Sequence, residues 1–335
     1  MQKIVVTGGA GYIGSHVCKA LSQRGFEPVS YDNLSRGNRA AVQFGPFEEG
    51  DIRDVENLEA VFEKYKPAGV IHMAALAYVR ESTIDPLGYY ENNVGGSTRL
   101  IQAMVNQNVN AIVFSSTCAT YGVAQQVPIL EDHPTQPINP YGHSKLMVEQ
   151  ILADADASHG LKSTRLRYFN ACGCDPEGQI GEWHSPETHV IPLCMMAAKG
   201  EIEQFTLLGD DHDTDDGTPV RDYIHVTDLA EAHVLALTRL LEGGDSLTMN
   251  LGVGNGISVQ QIVEAVEKVS GLKVPLKILP RHPADPPTLI ASGETAREIL
   301  GFEPKYTVIE EIISHAWAWH QKAPAVYGRT ENEQH

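Results

Sequence analysis

The chain has 335 residues, enough for about two domains and a sizeable core; at 42% hydrophobic, 20% charged and 7% aromatic residues it is not a disordered polymer. Against 43 Asp and Glu stand only 25 Lys and Arg, a net charge of −18. Such a surface repels phosphodiester backbones and anionic lipid, which argues against nucleic acid or a membrane as partner.

No segment approaches the roughly 20 apolar residues of a membrane span; the run over 190–198 is interrupted by Pro192. Residues 1–7, Met-Gln-Lys-Ile-Val-Val-Thr, enter a strand pattern at once, without a signal-peptide layout. Five cysteines, without a C-x2-C pair, read as thiols in a reducing cytoplasm.

In chain order the pattern predicts a strand over 4–7, a helix over 11–23 and a strand over 28–32. A third extended segment ends near Asp51, followed by a helix over 55–64, a strand over 70–73 and a long helix over 86–106. Then come a buried strand over 112–116, a helix over 140–157 and a strand over 164–169. This alternation predicts an α/β fold, a doubly wound parallel Rossmann sheet whose ligands bind at the carboxyl ends of the strands. Beyond about residue 170 the alternation breaks down. Residues 173–189 are rich in Gly, Pro, Glu and His, residues 210–217 form an acidic loop, and amphipathic helices follow over 227–241 and 258–269. The expected division is a dinucleotide-binding domain over 1–170, to which some later segments return, and a smaller mixed α/β substrate domain over 171–335.

Residues 7–14 read Thr-Gly-Gly-Ala-Gly-Tyr-Ile-Gly, after a strand and opening a helix. Gly9, Gly11 and Gly14 satisfy G-x-G-x-x-G; Gly8, Gly11 and Gly14 satisfy the wider G-x-x-G-x-x-G. Glycine lets the backbone turn tightly and lets a pyrophosphate approach the free N–H groups of the helix start. Asp32 ends the second strand, where a carboxylate meets a ribose 2′-hydroxyl and repels a 2′-phosphate, so NAD is expected over NADP. Arg36, nearby, is the one argument for NADP. The bland alternative for Asp32 is a cap on the Asp-Asn-Leu-Ser-Arg turn. Asp51, in Gly-Asp-Ile, is expected beside adenine.

Tyr141 and Lys145 form a Tyr-x3-Lys pair just inside the helix opened by Asn139-Pro140. Residues four apart share a helix face, so the ammonium can lie beneath the phenol. Together with a positive nicotinamide ring it should bring the phenol pKa down toward neutral. Of twelve tyrosines only Tyr141 has Lys at this spacing. Taken alone, the pair reads equally well as an exposed i,i+4 contact. Position decides: Phe114-Ser115-Ser116-Thr117 ends a buried strand upstream, and Thr117 is the expected third member. Hydroxyl, phenol and ammonium at the nicotinamide end of a dinucleotide fold are the equipment for alcohol-to-ketone hydride chemistry.

These segments resemble the extended short-chain dehydrogenases/reductases and, within them, the UDP-glucose (UDP-galactose) 4-epimerase family. The matching stretches are 7–16, 50–53, 70–75, 89–94, 114–122, 139–145, 167–170, 216–225, 250–252 and 281–285. Arg-Tyr-Phe-Asn and Val-Arg-Asp-Tyr-Ile-His are the most specific blocks. The chain is similar to a bacterial branch carrying Ser-Ser-Thr-Cys-Ala-Thr-Tyr-Gly and Gly-Glu-Trp-His-x-Pro-Glu-Thr-His.

The resemblance implies NAD held by Gly8, Gly11, Tyr12, Ile13 and Gly14, by Asp32, Asn33, Asp51 and Ile52, and by Met73, Ala74, Ala75, Asn92, Ser115 and Phe169, with Tyr141 and Lys145 also in contact. It implies a UDP-sugar whose 4-hydroxyl loses its proton to Tyr141, whose C4 hydride passes to NAD⁺, and whose 4-keto sugar turns before the hydride returns to the opposite face. Asn170 and Arg221, with Tyr223 nearby, would meet the diphosphate. Val190, Thr206, Leu207, Leu208, Val259 and Asp285 would line the uridine side, and Leu289 falls where side-chain bulk gates N-acetylated sugars. The chain departs from the family's usual pattern with Thr117 for Ser, Ala77 for Lys and His282 for Arg. A homodimer through the helices over 86–106 and 140–157 is also implied.

The nearest rival is an epimerase of UDP-pentoses or UDP-N-acetylhexosamines. A 4,6-dehydratase is disfavoured because Cys118-Ala119 replace its Asp-Glu pair. A non-catalytic NAD-binding regulator is disfavoured because Tyr141 and Lys145 both remain. His184 and His189 find no third ligand of convincing spacing, so no metal is expected.

Overall fold

A computed structural model of the chain describes residues 1–281 and 286–328. The first six strands are β1 (Lys3–Thr7), β2 (Glu27–Asp32), β3 (Phe47–Glu49), β4 (Gly69–His72), β5 (Ala111–Thr117) and β6 (Lys162–Tyr168). After them come β7 (Asn170–Cys172), β8 (Phe205–Leu208), β9 (Val220–His225), β10 (Leu247–Leu251), β11 (Gly256–Ser258), β12 (Leu276–Leu279) and β13 (Thr288–Leu289). Seven of these form one sheet in the order β10-β6-β5-β4-β1-β2-β3, every neighbouring pair parallel. The order reverses between β1 and β4, and the crevice at the carboxyl ends of those two strands is where such sheets take ligands.

The helices in the first half are α1 (Tyr12–Gln23), α2 (Val55–Tyr65), α3 (Val79–Ile84), α4 (Pro86–Tyr89), α5 (Gly96–Asn106) and α6 (Pro140–His159). Those in the second are α7 (Val190–Lys199), α8 (Val226–Leu241), α9 (Val259–Ser270), α10 (Glu294–Leu300) and α11 (Ile309–Val326). The sheet is covered on both faces because its strands are apolar on both. Ile4 and Val6 of β1 pack with Val17 and Leu21 of α1 and with Leu229 and Leu237 of α8. Val5 points the other way, into a core with Leu58 and Phe62 of α2, Leu100 and Met104 of α5, and Leu152 of α6. Alternation along one strand thus selects the face each side chain serves.

The second half builds a separate core from α7, α9 and α11. There β9 pairs with β7, β11 and β13, and β8 pairs with β12. The chain nevertheless comes back to the first sheet: α8 covers one face, and β10 closes the edge beside β6.

Two local departures from the expected elements concern the crevice. Helix α3 was not foreseen, and the helix expected over 86–106 is not regular. Its middle, Tyr90–Gly95, is a π-helical turn between α4 and α5. Sequence periodicity does not signal a π turn, which accommodates an extra residue and recurs at functional sites. Here it turns Asn93 inward, where it bonds both the N–H and the C=O of Leu76 (2.8 and 2.9 Å) and Ser144 Oγ (3.1 Å). Among the described residues no helix is long and apolar enough to cross a membrane, and all five cysteines are free thiols.

Candidate active site

At the end of β1 the chain turns through Gly8, whose φ of +73° is left-handed and whose Cβ would lie 2.7 Å from the backbone N of Ala74. A Cβ on Gly14 would collide with the Gly8 carbonyl, so both positions require glycine. Helix α1 then starts at Gly11 without a side-chain cap. The first-turn N–H groups of Tyr12, Ile13 and Gly14 therefore have no capping side chain, and these residues line a cavity of about 490 Å³. Such a cradle fits a pyrophosphate.

Asp32, buried at the end of β2, faces the same cavity. Its two oxygens each accept one backbone N–H, from Ala10 (3.0 Å) and Leu34 (2.8 Å), which leaves lone pairs for a ribose hydroxyl. Burial raises its pKa, and those two bonds oppose the rise. Arg36 lines the same cavity, where it pairs with Glu81 Oε1 at 2.5 Å and stacks 5.1 Å over the Tyr78 ring.

At the opposite end, Thr117 closes β5 and Pro140 opens α6, with Asn139 Oδ1 capping the Gly142 N–H at 2.8 Å. Helix α6 carries Tyr141 and Lys145 on one buried face, and both line the cavity with Ser115 and Thr117. The Lys145 ammonium donates to Ser115 O (2.8 Å) and lies 6.0 Å from the Tyr141 ring centroid. The expected fall in the phenol pKa is not produced by the chain's own groups. Burial drives the Tyr141 pKa well up, Tyr168 adds to the rise, and a hydrogen bond with Thr117 opposes it. Burial also pulls Lys145 down, to about 7, against the attraction of Glu149 one turn further on.

Of the residues expected to hold cofactor, Gly8, Gly11, Tyr12, Ile13, Gly14, Asp32, Asn33, Ile52, Met73, Ala74, Ala75, Asn92, Ser115 and Phe169 line this one cavity, as do Tyr141 and Lys145. Asp51 does not. Its carboxylate is taken by Arg53 (2.9 and 2.7 Å) and Asn33 (2.9 Å), while Gly50 and Ile52 on either side reach the wall.

The expected substrate residues divide. Asn170, Val190 and Tyr223 line the cavity, Asn170 and Tyr223 as register partners of β7 and β9. Thr206, Leu207, Leu208, Arg221, Val259 and Leu289 are absent from its wall. Alternation in β8 exposes Thr206 and Leu208 but sends Leu207 into the second core, which Val259 also joins. Arg221 bonds the carbonyls of Val220 (2.8 Å) and Pro287 (3.4 Å). Burial raises the pKa of Cys118 and Tyr223, both wall residues, and the Arg221 charge opposes that rise. Leu289 packs beside the cluster of Tyr121, Ile129, Phe169 and Ala291. Asp285 and His282 lie outside the described residues.

The wall also contains groups not anticipated from sequence. Tyr78 and Glu81 come from the unforeseen α3 and its approach, and Glu182, His184, Thr188 and His189 come from the connection before α7. The last group belongs to the Gly-Glu-Trp-His-x-Pro-Glu-Thr-His block, which sequence marks as unusual without saying which side chains turn inward.

Comparison with known proteins agrees with this geometry. The model of the NAD dependent epimerase/dehydratase family matches residues 4–252. A UDP-glucose 4-epimerase of Rhizobium leguminosarum bv. trifolii is 52% identical over 322 residues, 96% of this chain and 98% of that protein. The crystal structure of UDP-glucose 4-epimerase from Brucella ovis in complex with NAD superposes with a TM-score of 0.93 at 48% identity, covering 95% of this chain and 99% of that one. That of Bifidobacterium longum UDP-glucose 4-epimerase with NAD⁺ and UDP gives 0.90 at 36% identity, covering 98% and 100%.

Proposed function

The chain belongs to the NAD dependent epimerase/dehydratase family, and we propose that it interconverts UDP-galactose and UDP-glucose by inverting carbon 4 of the sugar. The observation that carries this reading is the convergence of the glycine cradle, Asp32, Thr117, Tyr141 and Lys145 on one cavity. NAD⁺, when bound, would supply hydride-acceptor and hydride-donor chemistry at C4 and a positive charge beside the phenol. Gly8, Gly11 and the start of α1 would hold its pyrophosphate, and Asp32 would hold its ribose. Tyr141 Oη takes the proton of the sugar 4-hydroxyl and gives it back after the sugar has turned. Thr117 shares that proton, and Lys145, anchored on Ser115 O, favours the phenolate by its charge. Asn170, Tyr223 and Val190 grip the nucleotide end, with Arg221 adding a permanent positive charge beside them.

Incubation with UDP-galactose, UDP-glucose, UDP-N-acetylglucosamine and UDP-pentoses, without added NAD, tests the reading. Interconversion of the first two is expected, and inertness toward all of the sugars would overturn it. Leu289→Tyr should lower turnover of UDP-N-acetylglucosamine relative to UDP-glucose, since added bulk beside Phe169 narrows the sugar end; an unaltered ratio would free Leu289 of that role.

Asp32→Ala should weaken NAD retention and bring NAD and NADP closer in affinity, because the group that repels a 2′-phosphate is gone. Fluorescence titration with both dinucleotides measures this, and an unchanged preference would refute the ribose contact.

We also propose that the protein works in the cytoplasm, as a homodimer. Leu87 and Met147 are exposed on neighbouring helices and frame a shallow apolar patch with Tyr90 and Val94. The double variant Leu87→Arg/Met147→Glu should run as a monomer in light scattering while the unsubstituted protein runs as a dimer. A dimer that survives the substitutions would place the interface elsewhere.

A further inference from the structure

We propose that Glu182, His184, Glu187 and His189 form a binding site for one first-row divalent cation, on the wall of the main cavity. One ligand atom from each residue lies within 4.8 Å of all the others. Ligand atoms about 2.0–2.2 Å from a tetrahedral Zn²⁺ stand roughly 3.3–3.6 Å apart. His184 Nδ1 is 3.4 Å from Glu182 Oε1 and 3.5 Å from Glu187 Oε2, and His189 Nδ1 is 3.7 Å from Glu187 Oε1. His189 Nδ1 and Glu182 Oε1 stand 2.5 Å apart, a hydrogen bond that the ion would replace.

Three further observations point to a ligand. His184 Nδ1 is buried and has no hydrogen-bond partner among the described residues, although it faces both carboxylates. Glu182 and Glu187 are 6% and 8% exposed at the side chain, yet among the described residues neither pairs with Lys or Arg. Two enclosed carboxylates call for two positive charges. His184 and His189 face them as ion-pair partners, their pKa values raised by Glu182 and Glu187 against burial, and a divalent cation would take over that charge as the two protons leave. The groups are also held from behind. Backbone N–H groups of Thr188 and His189 donate to Glu187 Oε1 (2.7 and 2.8 Å), and the Glu182 carbonyl accepts from Trp319 Nε1 (3.0 Å). Such outer partners orient ligands.

The donor set of two imidazoles and two carboxylates suits Zn²⁺ or Co²⁺ better than Ca²⁺ or Mg²⁺, which prefer oxygen alone. His189 is half exposed, and His184 lies against the Tyr12 and Tyr78 rings (6.0 and 6.2 Å), so the cavity itself gives the ion a way in. Bound there, the ion would staple the connection before α7 into the wall. The inference does not depend on the reaction proposed above.

Full-length protein stripped with EDTA and freed of chelator should take up one equivalent of Zn²⁺ in calorimetry, and Co²⁺ should give the intense visible bands of a tetrahedral site. His184→Ala should weaken uptake by roughly 100-fold or more, since even outer-shell partners are worth about 10–100-fold. Glu187→Gln, which keeps shape and the backbone acceptor, should weaken it as well and guards against misfolding of the first variant. Absence of uptake, or uptake that is the same in both variants, would overturn the site.

Discussion

Tyr141→Phe should cut C4 inversion by about 10²–10⁴-fold, the range of general acid–base catalysis, while the protein keeps its dinucleotide. Phenylalanine fills the same buried space and removes one hydroxyl, so the cradle at Gly8 and Gly14 and the bond from Lys145 to Ser115 O are untouched. Its loss should appear in the turnover rate, with little change in UDP-sugar affinity, because the proton moves only in the reacting complex. Single-turnover assays and the NAD content of acid-denatured protein measure the two halves of the statement. Near-normal turnover would reject Tyr141 as the base; loss of NAD along with activity would make the residue a prop for the cofactor instead.

The second large effect concerns what lies beneath the catalytic helix. Arg167 Nε and Nη2 reach the two oxygens of Glu149 at 2.9 and 2.5 Å, Ser116 Oγ bonds the same carboxylate at 2.5 Å, and both ionic side chains are buried. Glu149 stands one turn beyond Lys145, so the pair ties α6 to β5 and β6. Arg167→Met should lower unfolding free energy by about 3–5 kcal/mol, since a buried carboxylate loses its guanidinium and keeps only the Ser116 hydroxyl as a side-chain hydrogen-bond partner. Methionine keeps most of the packing over the Tyr121 ring, which Arg167 covers at 4.8 Å. The double variant Arg167→Met/Glu149→Leu should recover most of that loss, because no uncompensated charge remains. Urea unfolding of the three proteins decides. A double variant as unstable as the single one would assign the cost to packing and not to the stranded charge.

Much of the cavity was legible from residue order alone, for a physical reason. The glycine cradle, Asp32 and the Tyr141/Lys145 pair depend on spacing within one turn or one strand–helix junction, and local geometry converts that spacing directly into position. What escaped depends on long-range packing or on competition. Asp51 is spent on Arg53, two residues away, a rivalry visible in Asp-Ile-Arg but outweighed by the family pattern. The resemblance pointed to the segment 206–208 without fixing its pleat, and so without showing that Leu207 faces the core. The π turn at Tyr90–Gly95 has no periodic signature. Nor can sequence say which glutamates of an acidic chain turn inward, and this hid the carboxylates that accompany His184 and His189.

The return of α8 and β10 to the first sheet has a consequence for how this chain can be divided. A cut near residue 170 would strip Leu229, Leu237, Met249 and Leu251 from the core they share with Ile4 and Val6, and would bare the backbone edge of β6. The first fragment then lacks cover on one face of its sheet. The second half therefore cannot be traded as a cassette, so variation in what the protein accepts has to arise by substitutions within one body.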